Sequence, residues 1–258
     1  MLVEHGSVSL LTVWTSDPGA RSGPRVVGCA GGAGPGAANA PDMQWRRHGY
    51  GVVLALVIAS TAFQLVVSSA DGPRFGVIAL QAVTLVAAVR TAGVQRAGVR
   101  LAAAAATLAV LASLITWIVD GDIPYVYAAA VSILLVGVAP AALAAGLVNE
   151  LRAQGEVAFH MLAGVLAIYL LIGMFFAFTY GVVDVIDASA LFADDSDSTP
   201  AERLYFSFVT LSTVGYGDFS PGADGPRALA VAEMLTGQIY LVTVVALIVS
   251  NLGRRRPA

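Results

Sequence analysis

Thr213-Val214-Gly215-Tyr216-Gly217-Asp218 lies between two long apolar stretches, residues 157–183 and 227–252. Hydrocarbon offers no partners to an irregular backbone, so a glycine-bearing polar loop at membrane depth is tolerated only where it is buried in protein or lines a polar path. Gly215 and Gly217 alternate with Val214 and Tyr216, and glycine adopts φ/ψ values that a Cβ would forbid. The carbonyls of Thr213, Val214, Gly215 and Tyr216 can therefore turn toward one axis while the larger side chains pack behind. The Thr213 hydroxyl adds an oxygen at the inner end. Oxygens so arranged replace the hydration shell that a cation loses on leaving water. One strand surrounds nothing, and the chain carries one such run, so four chains around an axis are expected.

The rest of the composition agrees with a bilayer setting. Of 258 residues, 57% are hydrophobic and 12% charged, and the mean hydropathy is +0.78, far above an ordinary soluble domain. The net charge of -3, with no basic tract longer than residues 254–256, argues against a nucleic-acid partner. Cys29 is the single cysteine, so no intrachain disulfide is available. Residues 1–42 are rich in Gly and Pro and lack a sustained apolar period; they are expected to be disordered. Met43 offers a second start immediately before the first long apolar stretch, which makes a misassigned start an explanation for that segment.

Apolar stretches over residues 50–69, 75–94, 100–119, 124–148, 157–183 and 227–252 each approach the ~20 residues that a spanning helix needs. Residues 200–212 are too short to cross and run straight into the glycine loop, so they read as a re-entrant half-helix. Thr199 at the N-cap, Pro200 at the first helical position and Glu202 three residues after the cap mark its start. The expected fold is an all-α membrane protein of six transmembrane helices plus this re-entrant helix and its loop. Residues 43–152 form a four-helix region and residues 153–258 the remainder.

Arg46, Arg47, Arg90, Arg96, Arg100, Arg152 and Arg254, Arg255, Arg256 fall on one side of alternating spans, which is then cytoplasmic. Asp71, Asp120, Asp122, Asp184, Asp187, Asp194, Asp195, Asp197, Glu202, Asp218 and Asp224 fall opposite. Both termini are thus expected inside, the loop opening outward, in a plasma membrane. Trp45 and Tyr50 at the inner end, and Trp117, Tyr125, Tyr127 and Tyr180 at the outer end, are placed in an aromatic belt.

On these residues, 157–256 resemble the pore module of the tetrameric potassium channels: outer helix, pore helix, filter and inner helix. The resemblance implies a homotetramer that conducts K+ passively, with K+ held by Thr213, Val214, Gly215 and Tyr216 in a filter that extends to Gly217. Asp218 would ring the outer mouth. The half-helix before the filter would aim the negative end of its dipole at the waiting cation. Gly237 falls where the family commonly has an inner-helix hinge, and Gln238, Leu241 and Val245 are then cavity candidates; the alternative for Gly237 is a close helix contact. Where family members often brace the filter with pore-helix tryptophans, this chain has Tyr205 and Phe206. Phe206 cannot donate to Tyr216, whereas Tyr205 can reach Asp218. Val209 stands where some members have a carboxylate. Glu233, two turns into the last stretch, is either a filter support near Thr210 or Ser212, or a structural carboxylate paired with Arg227 or Arg203.

Residues 124–148 contain no basic side chain, and voltage sensing needs charges that move through the field. The first four helices therefore read as a packing collar, kinked at Pro140. His160 is a candidate cytosolic pH sensor or a plain polar flank. Arg254, Arg255 and Arg256 are a topology anchor or a site for anionic lipid. The acids at 194, 195 and 197 read as a solvated loop, since a calcium loop's glycine and distal glutamate are missing. No enzymatic cluster and no cofactor beyond the permeant ion are expected. A weakly selective cation channel and, less readily, a potassium-transporter subunit are the alternatives, the latter disfavoured because it would carry four filter repeats in one chain.

Overall fold

Hydrophobic runs long enough to be helical throughout dominate the computed structural model, which describes residues 40–67, 74–120, 125–154, 159–186, 191–193 and 198–252. Among these are seven helices: α1 (Ala40–Val67), α2 (Arg74–Thr91), α3 (Arg96–Asp120), α4 (Tyr125–Gln154), α5 (Phe159–Ile186), α6 (Pro200–Leu211) and α7 (Asp224–Leu252). The only strand-like pairing among the described residues is an isolated antiparallel bridge between Phe192 and Pro221. Among the described residues, four segments are long and apolar enough to cross a membrane: Gly49–Val66, Arg96–Val119, Tyr127–Arg152 and His160–Ile186. The second expected span is a shorter apolar helix, Gly76–Thr91. The last lies in α7, a 29-residue helix whose N-terminal part carries Asp224, Arg227 and Glu233.

Helices α1, α2, α4 and α5 pack on one another around a common core that includes Val53, Val57, Leu85, Leu143 and Leu171. Small residues set the closest approaches: a Cβ on Gly146 of α4 would lie 2.5 Å from the Ala92 Cα, and one on Gly164 of α5 would lie 2.6 Å from the Tyr50 ring. Glycine at such points lets backbones meet. Helix α3 packs mainly on α2 and leaves Leu101, Leu108, Ile115 and Ile118 exposed, as expected of a helix against lipid. Helix α4 runs on through Pro140 as one element. Helix α5 joins the two regions, contacting α1 and α4 on one side and α6 and α7 on the other.

Several expectations change here. Segment 1–42 lies outside the described residues up to position 39, and residues 40–42 are the first turn of α1. Tyr50 and Tyr180 are not belt residues: they are 1% and 0% exposed, because each has a protein partner. The Tyr50 ring lies 6.0 Å from the His160 ring, and the Tyr180 hydroxyl meets Glu233. Trp117 and Tyr127 are exposed, while the side chains of Trp45 and Tyr125 lie outside the described residues.

Candidate pore loop and its supports

Helix α6 starts as its sequence specifies. Thr199 is extended (φ -84, ψ 156), its hydroxyl accepts from the Glu202 amide at 3.2 Å, and the Glu202 carboxylate accepts from the Thr199 amide at 2.7 Å. Pro200 fills the first position, where its missing amide costs nothing. Arg203 in the first turn is 3% exposed and donates to Asp184 at the end of α5, at 2.9 Å, and to the Ser198 carbonyl at 2.7 Å. The start of α6 is thereby tied to α5.

The far end is less ordinary. The Thr213 amide donates to the Thr210 carbonyl and the Val214 amide to the Val209 carbonyl, both at 3.0 Å. This is the Schellman pairing that ends many helices, and its left-handed position is usually glycine. Here it is Thr213, at φ 58, the one non-glycine residue with positive φ among the described residues. A left-handed L-residue is disfavoured by about 1–2 kcal/mol, so the position keeps a threonine against its backbone preference. Gly215 (φ 56) and Gly217 (φ 81) follow with positive φ. The sign alternates along residues 213–217, and such alternation turns successive peptide groups the same way, the geometry that makes concave ion sites from backbone.

Behind α6 lies a buried polar cluster. Glu233 of α7 is 0% exposed; its Oε2 accepts from the Tyr180 hydroxyl at 2.8 Å, and its Oε1 lies 2.5 Å from the Ser207 Oγ. Ser207 Oγ is also 2.7 Å from the Gly173 carbonyl. A serine hydroxyl has one proton to donate. All three contacts are satisfied together when Glu233 is protonated, donates to Ser207 and lets Ser207 donate to Gly173. The cluster thus joins α5, α6 and α7. Neither Thr210, Ser212, Arg203 nor Arg227 is the partner expected from sequence: Ser212 bonds back to the Phe208 carbonyl and Arg227 pairs with Asp224.

At the C-terminal end of the loop the Tyr205 hydroxyl donates to Asp218 Oδ2 at 2.7 Å, and the Tyr205 and Tyr216 rings stack at 6.5 Å, 5° from parallel. The bond from Tyr205, aided by the Phe219 amide at 3.1 Å, holds the Asp218 carboxyl below its ordinary range. Phe206 lies away from Tyr216, edge-on to Tyr180 at 5.1 Å and to Phe192 at 5.4 Å.

Residues 164–254 match the family model described as an ion channel. Two-pore potassium channel a of Oryza sativa subsp. japonica is 37% identical over 105 residues, 41% of this chain and 27% of its own length. Two-pore potassium channel 4 of Arabidopsis thaliana is 32% identical over 73 residues, 28% of this chain and 26% of its own. Residues 164–254 are thus similar to a family of ion channels, and two relatives that match in part are potassium channels. The family is one of ion channels, not of enzymes. The chain spans about a quarter of the length of these curated relatives, and no solved structure matches it significantly.

Within this channel region the loop 213–218 is exposed along its length in the single chain, Val214 at 52% and Tyr216 at 71%. Gly237 is buried against the end of α6: a Cβ there would lie 2.5 Å from the Leu211 carbonyl oxygen, a contact between backbones. Gln238 and Leu241 are exposed on α7; the side chain of Val245 and residues 254–256 lie outside the described residues, as do Asp194, Asp195 and Asp197. Among the described residues no three His, Cys, Asp or Glu gather as a metal site. His160 pairs with Glu150 at 2.8 Å across the α4–α5 junction. Sequence reasoning missed Tyr180, Ser207, Phe192 and Phe219. Ser207 had one signal, its place a turn before Thr210 on the helix that leads to the loop. Phe192 had none.

Proposed function

We propose that the protein is a potassium-selective channel that conducts K+ passively through a filter of backbone carbonyls at residues 213–217. The observation that carries this reading is the alternation of positive φ at Thr213, Gly215 and Gly217, directly after a half-helix anchored at both ends. Strain at Thr213 is intelligible if its hydroxyl is the innermost ion ligand, since glycine would otherwise serve the turn better. Two relatives described as potassium channels support K+ as the ion.

A single filter segment per chain requires four copies, and the homotetramer is part of the proposal. The apolar groups bared in one chain, Val214 and Tyr216 in the loop and Leu235, Ile239 and Val242 on α7, supply surface for neighbouring copies. Helix α7, at 29 residues, is about 43 Å long by the rise of an α-helix and is read as the sixth span, with α2 as the second. Residues 43–152 are the collar and 153–258 the pore domain, in a plasma membrane with both termini cytoplasmic; Arg254, Arg255 and Arg256 would face anionic headgroups. Asp218 rings the mouth, Tyr205, Phe206 and Glu233 support the filter from behind, and Gln238, Leu241 and Val245 line the cavity below it. Gly237 serves as the close contact that seats α7 against the end of α6.

Purified protein in planar bilayers under opposed K+ and Na+ gradients tests the proposal. The reversal potential is expected near the K+ equilibrium value. A reversal near zero would instead identify a weakly selective cation channel, and absence of current at all voltages would remove both.

A further inference from the structure

We infer that Phe192, in the segment between α5 and α6, is a positioning residue for the outer end of the conduction path, an inference that rests on the channel reading above. The loop it belongs to contains no motif, yet its described part pairs with the chain just after the filter. The Ala193 amide donates to the Ser220 carbonyl and the Gly222 amide to the Leu191 carbonyl, both at 2.9 Å, on either side of the Phe192–Pro221 bridge. The Phe192 ring is 1% exposed. It sits 5.4 Å from Phe206 at 76° and 4.8 Å from Phe219 at 48°.

Phe219 follows Asp218 directly, and its ring meets Tyr205 edge-on at 5.9 Å. Tyr205 in turn stacks on Tyr216 and bonds Asp218. The rings therefore run in contact from Tyr180, at the buried Glu233 cluster, through Phe206, Phe192, Phe219 and Tyr205 to Tyr216. Each step lies within the centroid range at which aromatic pairs attract. Phe192 is a link of this path from outside the pore helix: its buried ring touches both Phe206 of the pore helix and Phe219 of the segment leaving the filter, beside the direct contact that Tyr205 makes. With Phe206 turned away from Tyr216, the outer filter is steadied from the outside, by the segment before α6.

Two consequences separate this role from plain stability. Without the Phe192 ring the segment 218–220 gains freedom, so the ordered filter converts more readily to a collapsed one. An ion that binds only the ordered filter opposes that conversion by mass action. The loss should therefore depend on external K+.

The experiment compares wild type, Phe192→Leu and Phe192→Tyr as full-length tetramers in planar bilayers, with tetramer assembly checked by size. Current decay under sustained voltage is expected about tenfold faster in F192L, the change that loss of one to two aromatic contacts supports. Raising external K+ should slow that decay, and F192Y should restore the wild-type rate. Decay in F192L at the wild-type rate, or unaffected by K+, overturns the inference while leaving the channel reading intact. Absence of K+ current in wild type overturns the channel reading itself. If F192L does not assemble, Phe219→Leu removes the partner ring from its more exposed side and is judged by the same decay and K+ dependence.

Discussion

The buried polar side chains of α1–α4 and those of α5–α7 are satisfied in different ways. In the first region hydroxyls mostly turn back on their own helix, Thr84 to Leu80, Thr91 to Ala87 and Ser113 to Ala109, at 2.7–2.8 Å, and its cross-helix contacts, Glu150 to His160 and Thr61 to the Met174 sulfur, go to α5. The second region has such bonds too, at Thr179 and Thr236, but adds bonds that cross between helices. Ser207 and Tyr180 meet Glu233, Arg203 meets Asp184, and the Tyr240 hydroxyl donates to the Val165 carbonyl at 2.5 Å. A bond within one helix satisfies a polar atom without fixing how that helix is turned against its neighbour. A bond across helices does both. On the proposed reading, residues 213–218 need positions held to about 0.5 Å for selective coordination, whereas the first four helices need only to fill space and face lipid.

Breaking the cross-helix cluster should give the largest effect. Glu233→Leu leaves the Tyr180 hydroxyl without its acceptor and takes one of the two partners of Ser207, and unsatisfied buried groups cost about 1–3 kcal/mol each. A loss of about 2–5 kcal/mol is expected, read by thermal unfolding of the assembled protein in detergent. Glu233→Gln can donate to Ser207 and accept from Tyr180, as the protonated acid does, so its loss should stay under about 1 kcal/mol. Equal losses for the two variants would mean that Glu233 is ionised.

A smaller effect is expected from glycine replacement. Gly237→Ala forces a methyl against the Leu211 carbonyl and should destabilise by about 1–3 kcal/mol, the usual cost of overpacking. Gly51→Ala in α1 meets nothing within 4 Å, and removing a helical glycine should leave stability unchanged or raise it by up to about 1 kcal/mol. Similar losses at both sites would erase the distinction between the regions.

In the collar, the Gln81 amide is buried with neither its oxygen nor its nitrogen hydrogen-bonded. With Ser60, Thr84 and Leu135 it lines a narrow gap that leaves no room for a water molecule. Gln81→Leu is therefore expected to be neutral or stabilising by about 1 kcal/mol. A marked drop in melting temperature would show that the collar, too, relies on directional bonding there.

The smallest effect is the pH dependence of the Tyr205–Asp218 bond. The Asp218 carboxyl is held low by Tyr205, so the bond's contribution is present above the ordinary aspartate value, about 3.9. It is lost as external pH falls through the lower, folded-state value. Current decay in Tyr205→Phe should differ from wild type at neutral pH and converge with it under strong external acid. A difference that persists unchanged in acid would show that the Tyr205 hydroxyl acts other than through the Asp218 carboxylate.

The half-helix was legible because its signals are local. Thr199, Pro200 and Glu202 lie within one turn, and the capping geometry needs nothing else. The apolar stretches gave most helices to within a few residues. Glu233 stood out as an acid in an apolar stretch, but its partners did not, because Tyr180 lies 53 positions away and meets it only through the rotation of α5 against α7. Tyr180 and Tyr50 looked like interfacial tyrosines for the same reason: sequence gives depth along a helix, but not which face is covered. The two readings of Gly237 could not be separated without knowing that α6 ends against it.

The sequence by itself determined that this chain belongs in a bilayer, that a capped short helix leads into a glycine-alternating loop, and that residues 124–148 carry no gating charge. These follow from composition, spacing and chemistry within a few residues. Tertiary structure decided what stands behind that loop: the Glu233, Tyr180 and Ser207 cluster, and the ring path through Phe192. Such contacts depend on helix rotation and on a loop folding back over the chain, and neither leaves a period or a motif in the sequence.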